Sequence, residues 1–358
     1  MRKIKNIIVK TSLLSLSLSL SLSLLGAAYA DNPDSNTAGN NASGFGISLT
    51  GLYLQPGASN LDYAVNTHPA PPASAPTWNQ EWIEPKYNGA FDLNLNYTMQ
   101  DQVDQISLDW LHLSNSESAS INTDGVTESA APPWAFGPGA QVGGQYATGT
   151  AKFDVDNGNL LFSHLINLSN HFQIKPFAGL STAQLKEDLT STYTGIAPDA
   201  DDHPYTITSY EDSKFLGVGP RLGLDGTYLI SQNFGLTAEM GGSLLTGSMK
   251  STTNFDAYGS GNLTTAHTAL ADDSRVQVVP EVDSKLGLSY QMAFKSGADF
   301  SVQAGYMISA YIDGINQVVP SQMVPDSFNH GVVALAASDQ EESNLDLNGP
   351  YLTLALTF

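Results

Sequence analysis

The last residues of the chain, Gly349–Phe358, read GPYLTLALTF, with Leu352, Leu354, Leu356 and Phe358 on one side of an extended strand and Tyr351, Thr353, Ala355 and Thr357 on the other. Strand side chains alternate with period two, so one face of this segment is apolar and the other is not. A final strand that alternates and ends on an aromatic residue suits the closing strand of an outer-membrane β-barrel, whose apolar face meets lipid. It also suits the last strand of a soluble sheet, which alternates for a different reason. If the first reading holds, Tyr351, Leu352, Leu354, Leu356 and Phe358 form the insertion signal that the barrel-assembly machinery reads.

The start of the chain favours export. Arg2, Lys3, Lys5 and Lys10 precede a Leu/Ser run from Leu13 to Leu25, and Ala28-Tyr29-Ala30 supplies the small residues of a cleavage site. That is the pattern of a secretory signal peptide, cut after Ala30. Residues 1–30 are read as signal peptide, 31–43 as a flexible leader rich in Asn, Asp, Ser and Gly, and 44–358 as one β domain. Nowhere does the sequence reach the roughly 20 apolar residues of a spanning helix, so membrane crossing must use strands. Without cysteine the exported chain has no disulfide, and its stability must come from a closed sheet or a large core. A formal net charge of -21 argues against a nucleic-acid partner and fits a solvated outer surface.

Alternation recurs along the domain. Expected strands are Gly44–Gln55, Gly89–Thr98, a third beginning near Ile106, Thr148–Ile166, Phe172–Leu185, Ser213–Leu229, Phe234–Ser248, Arg275–Phe294, Phe300–Ile312 and the terminal strand. In the fourth, Phe153 and Val155 read as outward and Lys152, Asp154 and Asp156 as inward, with a bulge near Gly158 shifting the phase so that Leu160 and Phe162 take over. Connections alternate in length. Short ones fall at Met99–Gln102, Asn167–His171, Ile230–Asn233 and Lys295–Asp299, and long ones at Pro56–Asn88, Ser114–Ala147, Lys186–Asp212, Met249–Ser274 and Asp313–Asn348, the last with a short helix at Val332–Ala337.

A sandwich has no reason to sort its loops by length, whereas a barrel threaded through a bilayer has short periplasmic turns and long outer loops. The expected fold is therefore all-β, a transmembrane antiparallel up-and-down barrel of about ten strands in the outer membrane. Aromatic residues sit beside the short turns in the outward phase: Phe45, Tyr97, Phe172, Tyr228, Phe234, Phe294 and Phe300 form a girdle at one interface.

The inward phase collects Asp92, Asp109, Asp154, Asp156, Asp225, Glu239, Glu281 and Asp283 against Lys152, Lys175, Arg221 and Lys285. One reading is a wet, net-negative lumen that favours cations; the other is a set of ion pairs that closes the interior. Inward Gly217, Gly219 and Gly223 leave room for a narrow pore, and a hidden strand pair within Leu61–Ile83 would widen it. No HExxH or GxSxG pattern is present, and His68, His203, His267 and His330 lie in polar loops, with His112 at an outer strand end. No enzyme, cofactor or metal centre is expected. The acidic runs Asp199–Asp202 and Asp272–Asp273 offer oxygen ligands of the kind that hold Ca²⁺ weakly, or are exposed charge.

Five blocks carry a resemblance: GLYLQPGASNLDYAV (51–65), LDWLHLS (108–114), GVGPRLGLDGTY (217–228), SLLTGSMKSTTNF (243–255) and VVPEVDSKLGLSY (278–290). They resemble the Legionella-type major outer membrane protein family of pore-forming proteins, over most of the mature chain. The resemblance implies a porin-like protein, abundant at the cell surface and able to meet host factors. It supplies no catalytic residues. Members of that family can be disulfide cross-linked; this chain, lacking Cys, can form only noncovalent oligomers. The rival reading is a non-conducting adhesin or host-factor binder that acts through its outer loops.

Overall fold

The computed structural model describes residues 44–70, 77–133, 143–196, 204–259, 266–294, 298–323 and 335–358; the expected signal peptide and leader lie outside them. The described residues form β1 (Gly44–Ala58), β2 (Asp62–His68), β3 (Thr77–Trp82), β4 (Asn88–Thr98), β5 (Asp104–Asn122), β6 (Ser129–Ala131) and β7 (Gly143–His164). After the two-residue β8 (Ile166–Asn167) come β9 (Phe172–Ile196), β10 (Pro204–Leu229), β11 (Phe234–Gly259), β12 (Ala266–Ala293), β13 (Asp299–Met323) and β14 (Leu335–Thr357).

Ten of these close into an antiparallel ring. Its order is β10-β11-β12-β13-β14-β1-β4-β5-β7-β9, and β9 pairs back onto β10. First and last strands meet in register, from Gly46 opposite Thr357 to Ala58 opposite Leu345. Within the apolar belt closure leaves no free edge, which lipid demands because it offers no hydrogen bonds to an unpaired backbone.

A belt of exposed apolar residues runs round the outside. Leu49, Leu108, Leu160, Leu180, Leu222, Leu286 and Leu354 are among its members. At its lower rim the Phe45 and Tyr97 rings lie 4.7 Å apart and those of Phe234 and Tyr290 4.8 Å apart, with Phe172, Tyr228, Phe294 and Phe358 also exposed. Phe300 is part-buried beside Leu356, its partner in the register. A second aromatic rim stands above, where Tyr53 stacks on Tyr87 at 5.5 Å and Phe91 meets Trp110 edge-on at 5.2 Å. From Phe45 to Tyr53 is about 27 Å of tilted strand, which matches an outer-membrane hydrocarbon layer.

The wall does not stop there. Much of the chain expected as outer loop in Lys186–Asp212, Met249–Ser274 and Asp313–Asn348 is strand, because β9 to β14 continue well past the apolar belt. Leu335–Ala337, expected to be helical, belong to β14; the rest of that expected helix lies outside the described residues.

In this outer half the polarity of the two faces reverses. β7 pairs with β5 without a break from His164 to Tyr146, so there is no bulge at Gly158 and no change of phase. Phe153 and Val155 point inward and are fully buried, while Lys152, Asp154 and Asp156 point outward, opposite to the expectation. The cause is the surroundings. Within the bilayer the outside is lipid and the inside wet, but beyond it the outside is water and the inside is a dry core.

That core is completed by a small second sheet of order β3-β2-β6, built from the first and second outer connections. The hidden strand pair within Leu61–Ile83 is real, yet it sits as a cap over the lumen and does not widen the ring. Leu61, Tyr63 and Ile83 pack with Ala147, Ala151, Leu189 and Tyr193 of the wall, and the Tyr193 hydroxyl donates to the Tyr63 carbonyl. A Cβ at Gly149 would stand 2.4 Å from the Tyr63 Cβ, so this close approach requires glycine.

Candidate functional site in the barrel interior

Three interior layers follow one another from the periplasmic end outward. The first is a polar chamber of about 440 Å³. Asp92, Asp109, Lys175, Arg221, Asp225, Glu239, Glu281, Asp283 and Lys285 all line it, and so do Leu165, Gln173 and Gln291 near the periplasmic turns. Of the residues expected inside, Lys152, Asp154 and Asp156 are the ones placed outside instead, for the reason given above.

Each interior cation lies among carboxylates. Lys175 Nζ is 3.1 Å from Asp225 and donates to Gln105 Oε1 at 3.3 Å. Lys285 Nζ lies 3.5 Å from Asp92 and 3.7 Å from Glu239. Asp109 accepts from the Asn94 amide. Six carboxylates thus share three cations, leaving the chamber net negative.

The second layer is a tight charged knot. Arg221 reaches Asp283 at 2.7 Å and Glu281 at 3.4 Å, donates to Ser243 Oγ at 3.2 Å, and lies over the Phe177 ring at 5.7 Å. Asn157 Nδ2 donates to Glu281 Oε1 at 3.2 Å and to the Tyr311 hydroxyl at 3.1 Å. Arg221 and Glu281 are each 5 % exposed, so this knot is a buried network whose members depend on one another. Room expected beside the glycines is filled: Phe215 occupies the space at Gly217, Phe177 that at Gly223, and Gly219 faces the neighbouring backbone at Leu244.

The third layer is dry. Leu54, Leu113, Phe153, Leu185, Phe215, Leu245, Met249 and Leu345 are each no more than 1 % exposed and fill the lumen above the knot. β13 adds to this seal. It leaves β12 above Tyr311, slips in register against β14 between Tyr311 and Ile315, and takes a left-handed φ of 54° at Asp313. The chain then crosses the lumen, where the Asn316 amide donates to Ser213 Oγ at 2.9 Å and Gln317 Nε2 to Glu211 Oε2 at 2.8 Å.

Residues 37–358 match a family model described as the Legionella pneumophila major outer membrane protein precursor. The chain belongs to the Legionella-type major outer membrane protein family. This family member is thus an outer-membrane protein, and its strands do the crossing. No curated protein matches it.

The solved structures it resembles are distant in sequence. The outer membrane protease OmpT of Escherichia coli is 10% identical, with 88% of this chain and 96% of that one covered, at a TM-score of 0.41. A FadL homologue of Pseudomonas aeruginosa is 8% identical (88% and 90% covered, TM-score 0.26), and the toluene transporter TodX of P. putida 6% (88% and 90%, 0.29).

Sequence reasoning missed a set of buried acids above the bilayer, where the cap of this family member meets the wall. Asn60 Nδ2 donates to Glu187 Oε1 at 2.9 Å, and Glu211 accepts from Ser209 at 2.9 Å. Burial pushes the Glu187 carboxyl up to about 8, Glu211 to about 7 and Asp62 to about 6, and Glu211 and Glu341 add repulsion. Their signal was the inward phase of β9 and β10, hidden in segments read as loop.

The histidines do not converge. His112 pairs with Asp156 at 2.9 Å on the outer surface, His267 with Asp256 at 2.6 Å and His68 with Glu128 at 3.6 Å, while His203 and His330 lie outside the described residues. Asp199–Asp202 also lie outside them; Asp272 is engaged by Arg275 at 3.7 Å and by Asn316 at 3.3 Å. Among the described residues no group of three or more His, Asp or Glu side chains is placed to hold a metal ion.

Proposed function

We propose that the barrel is a porin-like protein for passive passage of small cations, and that the apolar layer of its outer half is the gate. The observation that carries this is the chamber: six carboxylates around three cations, in a cavity that reaches the periplasmic end. A net-negative lumen favours cations, and an apolar constriction stops ions by excluding water until it widens. Opening requires the cap and the inward-crossing part of β13 to shift, since these are the elements inside the outer wall that do not belong to the ring. Neither a catalytic role nor a cofactor forms part of this reading, because His68, His112, His164 and His267 each pair with a single carboxylate and none of the four lines the chamber.

The second reading, a closed surface barrel that binds host or surface factors through its outer half, is favoured by the same dry layer. Planar-bilayer recordings of the folded full-length protein separate the two. Small cation-preferring steps, made more frequent by Tyr63→Ser in the cap and less cation-preferring by Asp92→Asn with Asp109→Asn, support the gated pore. Silence from folded protein and from the Tyr63 variant alike supports the binder.

A further inference from the structure

The chain has 35 acidic and 14 basic residues, yet four lysines gather on one patch of the exterior. Lys152, Lys186, Lys214 and Lys250 lie on the consecutive wall strands β7, β9, β10 and β11, all in the outward phase. Lys214 is the direct register partner of both Lys186 and Lys250. Neighbouring strands are about 4.8 Å apart, so three ammonium groups share a row about 10 Å wide. Like charges directly opposite each other on a sheet are destabilising unless an anion lies between them.

The protein's own carboxylates neutralise this row only in part. Asp188 pairs with Lys186 at 2.5 Å, and Asp154 lies opposite Lys186 at the end of the row. Asp212 stands one row farther out; burial first, and then its hydrogen bond to Asp188, push its carboxyl up, against the opposing pull of Lys186 and Lys250. Lys214 and Lys250 form no ion pair among the described residues. On the same face, Leu216 and Val218 follow directly below Lys214 on β10, while on β9 and β11 Gln184, Thr182, Ser248 and Thr246 come before Leu180 and Leu244; the four apolar residues are about half exposed and belong to the lipid-facing belt. The row therefore stands at the height of the outer-leaflet headgroups.

We propose that Lys186, Lys214 and Lys250, with Lys152 beside them, bind the phosphates of an outer-leaflet lipid whose acyl chains lie along the apolar face of β9, β10 and β11. Ammonium groups spaced across a flat sheet suit a phosphorylated headgroup, and the adjoining belt suits its chains. No other part of the described exterior offers this pairing: at the same height on the opposite side stand Tyr53, Tyr87 and Tyr306.

The test uses the full-length folded barrel in neutral detergent, titrated with bisphosphorylated lipid A, with the same lipid dephosphorylated, and with inorganic phosphate, reading thermal unfolding by heat-shifted gel mobility. The bisphosphorylated lipid is expected to stabilise the wild-type protein, and the triple variant K186Q/K214Q/K250Q to lose about a hundredfold in apparent affinity. The corresponding Lys→Arg triple variant keeps wild-type binding. Equal stabilisation of the wild type by the dephosphorylated lipid, or an unchanged affinity in the Gln variant, overturns the site. Equal stabilisation by inorganic phosphate overturns the lipid as its ligand. The comparison of lipids on the wild-type protein stands even if a variant fails to fold.

Discussion

The backbone amide of Phe358 donates a hydrogen bond of 3.0 Å to the carbonyl of Phe45, so the final residue of the chain is fastened to the beginning of the first strand. Without β14, β1 has no second neighbour in the ring, because its remaining partner is β4. Deleting Phe358 is expected to slow assembly, and deleting Tyr351–Phe358 to abolish it. Heat-modifiable gel migration reads both, and a compact folded form without the last eight residues would refute the closing role.

Arg221 is held between two carboxylates with almost no access to water. Replacing it by Gln leaves Glu281 and Asp283 facing each other unneutralised. Loss of one partner from a buried ion pair costs about 3–5 kcal/mol. Denaturant unfolding in detergent should show that loss, and adding Glu281→Gln and Asp283→Asn should recover part of it.

Phe215 is fully buried in the dry layer. Phe215→Ala should cost about 3–5 kcal/mol in stability, the usual range for emptying an aromatic site. If the layer is a gate, the same variant conducts more often than wild type in planar bilayers. Lower stability with unaltered conductance would separate packing from gating.

The buried acids beneath the cap give its docking a pH dependence. Glu187, Glu211 and Asp62 have docked pKa values near 8, 7 and 6, above the ordinary 4.5 of Glu and 3.8 of Asp. The docked form therefore holds protons that the undocked form releases, so docking is strongest below about pH 4 and weakens as pH rises to about 8. Amide hydrogen exchange in β2, corrected for its intrinsic pH dependence, should show less protection at pH 8 than at pH 5. Glu187→Gln should flatten the difference; greater protection at pH 8 would reverse the sign and refute it.

Within the bilayer the wall was legible because lipid selects one apolar face: Leu222 and Leu224 outward against Gly223 and Asp225 inward in β10 is a pattern that few other structures produce. The chamber residues followed from the same phase. Above the bilayer the cue inverts. Leu345 and Leu347 alternate with Asn344 and Asp346 as regularly as any membrane strand, but the apolar side faces inward and acids dominate the outward one, so the segment read as loop. Lys152, Asp154 and Asp156 face outward, against expectation, because apolar means outward only within the bilayer. The inward crossing of β13 had no signature at all, since it depends on a register slip at Ile312–Gly314 that only the fit of Ile315 and Asn316 against β10 and β11 determines.

Since the described part of the wall rises past the membrane as paired backbone, proteases at the cell surface meet few extended, unpaired stretches to cut among those residues. An antibody against that region meets alternate side chains from several strands at once. Recognition of the rim is consequently of a folded shape, and a short linear peptide copied from β9 or β14 is a poor stand-in for it.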